Sequence, residues 1–127
     1  MENILNNLNT FLSDLNVFYR KLQNYHWNVK GKDFFTIHAK LEEYYDEINE
    51  QIDEVAEHIL SIGGQPLGTL KDYLSTTKIT EAENKKVDNT VIHHNTLIEI
   101  SRFYSDMNRG SPDRAWVRVD TLLSCYL

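Results

Sequence analysis

The sequence has little of what crosslinks or interrupts a chain. Its one cysteine, Cys125, excludes a disulfide framework and any multi-cysteine zinc site. Two prolines and five glycines among 127 residues leave few places for turns, so the elements must be long, and long elements are helices. No apolar run approaches the ~20 residues of a membrane span, and the opening Met1-Glu2-Asn3-Ile4-Leu5 has no basic start leading into an apolar stretch. The expectation is a cytoplasmic chain with no membrane contact. Basic residues are also in deficit: 13 against 19 acidic ones, a net charge of −6. That balance disfavours a protein whose first task is to grip nucleic-acid phosphates, because such affinity comes from Lys and Arg. With 41% hydrophobic and 25% charged residues, the composition is that of one folded domain over residues 1–127.

What is present is helical periodicity. Ile4, Leu8, Phe11, Leu15, Phe18, Leu22, Tyr25 and Val29 recur at alternating steps of four and three, the apolar seam of a helix packed along a partner. Phe34, His38, Leu41, Tyr45, Ile48, Ile52, Val55, Ile59 and Ile62 repeat the pattern, and Gly63-Gly64 supplies a stop. Thr69 to Leu74 reads as a short helix capped by Thr69. A third long helix is expected to open at Thr80-Glu81-Ala82-Glu83, a capping-box pattern, with Val87, Val91, Leu97, Ile100, Tyr104 and Met107 on its apolar face. A last, short helix is expected after Ser111-Pro112, with Trp116, Val119, Leu123 and Tyr126 inward. The long connection, residues 63 to 79, suits a crossing from one end of a bundle to the other. The expected fold is all-α: a ferritin-like four-helix bundle with a long crossover between helices 2 and 3 and a short fourth helix.

Two of the five histidines stand out by position. If the first two helices are antiparallel about a turn near Lys32, His26 and His38 each lie six residues from its centre, at one level ~9 Å from the turn. Two histidines there could share a metal, or be two buried imidazoles with backbone or water partners. Asp53 and Glu57 are four apart and share one face of the second helix, turned away from Ile52, Val55 and Ile59. Glu50 and Glu54 lie close by, and no Lys or Arg occurs between Lys40 and Lys71, so a bound cation would relieve the repulsion of that face. A solvated acidic face is the plainer alternative. His38 and Asp53 are fifteen residues apart, ~22 Å along one helix. To meet, they need a second, antiparallel copy of that helix, as in a two-fold dimer crossing near Tyr45-Asp46. The residues three before each histidine are Gln23, Phe35, Val55, Thr90 and Val91, so the inward Glu-x-x-His pairs of intrachain di-iron bundles are absent.

The run His26-Trp27-Asn28-Val29-Lys30-Gly31-Lys32-Asp33-Phe34-Phe35-Thr36-Ile37-His38 resembles the His-Trp…Gly…Phe…His signature of the Dps proteins, the bacterial mini-ferritins. Asp53-Glu54-Val55-Ala56-Glu57 resembles their Asp-x-x-x-Glu motif, and Gly63-Gly64-Gln65-Pro66 and Leu70-Lys71-Asp72-Tyr73-Leu74 resemble the segment that follows. The likeness runs from about residue 10 to 80. It implies a shell of twelve identical chains that oxidises Fe(II), preferably with hydrogen peroxide, and stores the ferric mineral, protecting against oxidative stress. It implies a ferroxidase centre between two-fold-related chains, with iron held by His26 and His38 of one chain and Asp53 and Glu57 of the other. Glu42 stands where an additional acidic ligand often occurs, and Glu42 and Glu43 are candidates for seeding mineral or for a solvated face.

The C-terminal segment departs from that pattern: Arg109 to Leu127 is shorter than the family's fourth helix, which helps to build three-fold contacts and iron pores. A dimeric bundle that has lost its shell or iron site is therefore one alternative, and a nucleoid protein that binds DNA with little iron chemistry is another. Arg102, Arg109, Arg114 and Arg118 form a modest basic cluster. DNA-binding members of the family that the chain resembles commonly use a lysine-rich terminal tail; here the first basic residue is Arg20, well inside the first helix, and DNA binding is not expected at physiological salt without bridging divalent ions.

Overall fold

The computed structural model describes the backbone of residues 1–107 and the side chains of residues 1–99. Helix α1 spans Glu2–Asn28 and α2 spans Phe34–Ser61, joined through a two-residue strand β1, Val29–Lys30. A short helix α3, Leu70–Thr76, lies in the long connection, followed by β2, Val87–Asp88, and α4, Asn89–Met107. The strands pair in parallel, Val29 with Val87 and Lys30 with Asp88. Among the described residues no helix is long and apolar enough to cross a membrane.

The apolar seams become the core. Leu8, Leu15, Phe18, Leu22 and Tyr25 of α1 are buried, against Leu41, Ile48, Val55 and Ile59 of α2. Full burial of each large aliphatic side chain contributes about 2 kcal/mol, so this contact carries the hairpin. The deepest stripe of α2 also takes in Tyr44 and Gln51, while Tyr45 and Ile52 move to its half-buried flank. Ile4, in the first turn of α1, stays about half exposed (49%).

The stops and caps follow the expected residues. Gly63 adopts φ +83°, the left-handed conformation that closes a helix without a Cβ penalty. Gly64 is a close approach: a Cβ there would lie 2.2 Å from the end of the Leu5 side chain. Thr69 caps α3, its Oγ1 accepting from the Asp72 amide at 3.1 Å.

The third long helix differs from the expectation. It begins at Asn89, not at Thr80, and the crossover runs from 62 to 88. Side chains of α1 tie this segment down at four heights. Asn9 donates to Gln65 O and accepts from the Leu67 amide. Asp14, buried, accepts from Thr77 Oγ1 and from the Lys78 amide. Lys21 donates to Thr80 O at 2.8 Å, and Asn24 to the carbonyls of Ala82 and Glu83. These ties hold the backbone around Thr80, Ala82 and Glu83 against α1 and out of helical geometry. Helix α4 does not begin until Asn89, after Val87 has paired with Val29. Its inward residues are then Ile92, Thr96 and Glu99, and Val91 stands half exposed instead of packing inward. Glu99 meets Lys21 in a buried ion pair at 2.9 Å that ties α4 to α1.

The order of the ties along α1, from Asn9 to Asn24, carries the crossover from the far end of the hairpin back to its turn. Helix α4 therefore starts beside the turn and runs in the direction of α2. The expected last helix and Arg109, Arg114 and Arg118 lie outside the described residues.

Candidate metal centre

The turn end of the hairpin joins His26, in the last turn of α1, to His38, in the second turn of α2. Gly31 has φ +125°, a conformation that favours glycine, and lets the chain reverse over Val29–Asp33. Asn89 Nδ2 donates to Asp33 at 3.2 Å, fastening the start of α4 to the same turn.

The two imidazoles bind each other's backbone. His26 Nδ1 lies 2.6 Å from His38 O, and His38 Nδ1 lies 2.7 Å from His26 O. A carbonyl oxygen only accepts, so each Nδ1 carries the proton. In the neutral ring that leaves the lone pair on Nε2, the arrangement in which a backbone carbonyl orients a metal-binding histidine. The carbonyl of His26 also belongs to the end of a helix, where backbone acceptors lose their intrahelical partners. His38 supplies one.

The rings are stacked, centroids 3.6 Å apart and 13° from parallel. This bears on whether they share one ion. A lone pair lies in the plane of its ring, and in-plane directions in near-parallel planes do not meet. An ion midway between the rings would sit about 1.8 Å out of each plane, most of the ~2.1 Å length of a metal–imidazole bond. The pair in this conformation suits one ion per ring rather than one ion between the rings.

Further rings close the stack. Phe34, one turn before His38, lies nearly parallel to it, with centroids 5.0 Å apart and 20° between planes. Tyr45 meets His26 edge to face at 5.3 Å and is itself met by Tyr19 at 5.8 Å. Burial, with the charges of Glu42 and Asp46 adding to it, pushes the Tyr45 phenol above its ordinary value and keeps it protonated. Trp27 points outward, about half exposed (53%), with the Arg20 guanidinium 5.8 Å from its ring. The i to i+4 spacing of Phe34 and His38 was a sequence signal for their contact; the Tyr45 contact crosses between helices and had none.

The carboxylates lie elsewhere. Asp53 and Glu57 are exposed on α2, on the side away from buried Val55 and Ile59. Fifteen residues of helix separate Asp53 from His38, ~22 Å. Among the described residues of one chain, no group of three or more His, Cys, Asp and Glu side chains is arranged to hold a metal ion. The chain brings the two histidines together and does not bring the two carboxylates to them. Glu42 is exposed, and Glu43 pairs with Lys40 at 3.2 Å on the surface, an interaction of small energetic weight.

A family model described as a ferritin-like domain matches residues 5–107. The chain is 52% identical over 75 residues to DNA protection during starvation protein 2 of Bacillus anthracis, a match covering 59% of this chain and 51% of that protein. It is 46% identical over 81 residues to general stress protein 20U of Bacillus subtilis, covering 64% and 56%. The chain thus spans about half the length of the curated relatives it matches. Among solved structures it resembles Dps from Listeria monocytogenes, with a TM-score of 0.82, 31% identity, and coverage of 97% of this chain and 83% of that one. It also resembles Dps from Vibrio cholerae, described as one of the ferritin-like diiron-carboxylate proteins, with a TM-score of 0.80, 33% identity, and coverage of 84% and 67%.

Proposed function

We propose, from the premise that this chain belongs to the ferritin-like family and within it to the Dps proteins, that it oxidises Fe(II) with hydrogen peroxide between two copies of itself and stores the ferric product. The reading rests foremost on the histidine pair. Both Nδ1 protons are committed to backbone carbonyls, which leaves each ring an Nε2 donor for Fe(II) as substrate. Asp53 and Glu57 of the partner subunit supply the carboxylate oxygens that imidazole-bound iron accepts while keeping positions open for oxidant.

Two Fe(II) each give one electron to one peroxide, which takes up two protons and leaves as two waters. Paired ions deliver both electrons together and so avoid a hydroxyl radical. The carboxylates offset the charge gained as each ion becomes ferric. His26 and His38 keep their protons on Nδ1 throughout, because the backbone acceptors do not change.

On this reading the protein is a cytoplasmic homododecamer of about 180 kDa, twelve copies of 14.9 kDa. At −6 per chain the shell carries roughly −72, a field that draws Fe(II) inward and repels DNA. The deciding experiment mixes two inactive variants. His38→Ala and Asp53→Ala should each lose peroxide-driven Fe(II) oxidation, and refolding them together should restore a fraction of the sites. No recovery in mixed assemblies of confirmed composition would place the site within one chain or remove it. Light scattering on the same samples reads the assembly, with about 30 kDa marking a dimer that goes no further. A tight DNA complex near 150 mM salt with chelator present would favour a nucleoid role instead.

A further inference from the structure

The reciprocal hydrogen bonds fix one atom of each imidazole and leave each ring a rotation about Cβ–Cγ. A half-turn would exchange Nε2 for Cε1, aiming a C–H where a metal ligand should be, and would also break the bond to the carbonyl. What opposes that rotation in this chain is aromatic packing on both sides of the pair. One face of His38 is covered by His26 at 3.6 Å, and the near-parallel Phe34 ring lies 5.0 Å away. His26 has His38 stacked on it and the Tyr45 ring in an edge-to-face contact at 5.3 Å. The outer members are braced in turn, Phe34 by Phe35 at 5.3 Å and Tyr45 by Tyr19 at 5.8 Å.

We propose that Phe34 and Tyr45 are positioning residues, an aromatic clamp that holds His26 and His38 as Nδ1–H tautomers with both Nε2 atoms fixed for metal. The proposal deepens the iron-site reading and rests on it. Phe34 has no donor atom, and the contact of Tyr45 with His26 described here is one between rings. The clamp therefore acts through the imidazoles, by removing ring orientations that would have to be given up on binding.

The test separates the clamp from the iron site. Solid-state nitrogen NMR of histidine-labelled, metal-free assemblies reads the tautomer of each ring directly, with His26 and His38 assigned by single substitution. Wild type is expected to show Nδ1–H at both. Phe34→Leu, apolar but unable to stack, is expected to give mixed tautomers at His38, and Tyr45→Leu the same at His26. Phe34→Tyr and Tyr45→Phe keep a ring in place and are expected to behave as wild type. With Co(II) as probe, read from its visible absorption, the two leucine variants should bind about tenfold more weakly. In Fe(II) oxidation they should raise KM while leaving kcat nearly unchanged.

Unchanged tautomers in both leucine variants would overturn the clamp and leave the iron site standing. Damage in Tyr45→Phe equal to that in Tyr45→Leu would also overturn it, since the hydroxyl and not the ring would then be acting. Co(II) binding indifferent to His38→Ala would overturn the iron reading, while the metal-free tautomers still judge the clamp. If Phe34→Leu does not fold, the Tyr45 pair carries the same test from the other side of the stack.

Discussion

The two halves of the candidate centre are built differently. At the turn, His26 is buried and His38 half buried, and each ring is oriented by a backbone carbonyl and packed against other rings. Along α2, Asp53 and Glu57 are exposed. The imidazole half is completed by its own chain. The carboxylate half is left open, and on the proposed function a second copy completes it. Groups near a tight turn find partners close in sequence; groups ~22 Å up a straight helix do not.

The sharpest way to break this comparison is to damage each half equally in chemistry. His38→Ala and Asp53→Ala are each expected to slow peroxide-driven Fe(II) oxidation by at least about a hundredfold, because loss of a ligand should exceed the 10–100-fold effect of losing a supporting group. Stopped-flow absorbance of the ferric product measures both, and a wild-type rate in either would remove that residue from the centre.

The same two variants should part company in stability. His38→Ala loses the hydrogen bond from its ring to the His26 carbonyl and the stacking with His26 and Phe34, while its own backbone carbonyl still accepts from His26, so it is expected to cost about 2 kcal/mol. Asp53→Ala removes one exposed charge from an acidic face and should stay within about 0.5 kcal/mol. Denaturant midpoints at matched protein concentration check this; equal losses would mean that the carboxylate half is also completed within the chain.

A smaller effect tests the helix that carries the carboxylates. Gly63 has φ +83° and open space around its missing Cβ, so Gly63→Ala isolates backbone strain. It should cost about 1 kcal/mol without changing the oxidation rate. No loss of stability would show that α2 ends without the left-handed closure.

The smallest effect lies back at the turn. Asp88 sits below its ordinary value of 3.8, chiefly through the Thr90 hydroxyl and then the Thr90 amide, and Lys30 opposite adds to this. A carboxyl lowered by folding contributes stability above its unfolded pKa and loses it as pH falls through the folded one. Acid titration followed by NMR should find Asp88 partway back to 3.8 in Thr90→Val, which keeps the amide bond and loses the hydroxyl. Identical titrations would show that the hydroxyl does not hold this carboxylate.

Residues whose partners are close in the chain were readable from their spacing. The alternation of three and four identified the seam of α1 from Leu8 to Tyr25 and, on α2, Leu41, Ile48, Val55 and Ile59, because a helix turns every 3.6 residues and buries one stripe; Tyr44 and Gln51 take the deep places expected of Tyr45 and Ile52. Gly63 and Thr69 declared themselves as stop and cap. The level of His26 and His38 followed from counting outward from the turn. Their bonding did not, because two imidazoles near a turn have several sets of partners open to them, and only packing selects the reciprocal one.

Local order was thus written in the residues: two long amphipathic helices, their ends, and two histidines at one height beside a turn. The tertiary structure decided where α4 begins. Thr80-Glu81-Ala82-Glu83 has the pattern of a helix start, yet Lys21 and Asn24 take the carbonyls of Thr80, Ala82 and Glu83, and β1 takes Val87. Those donors come from about sixty residues earlier, at sequence separations of 58 and 59. A capping pattern weighs only the bonds within its own turn, and here the ties to α1 and β1 hold the backbone of this segment away from helical geometry.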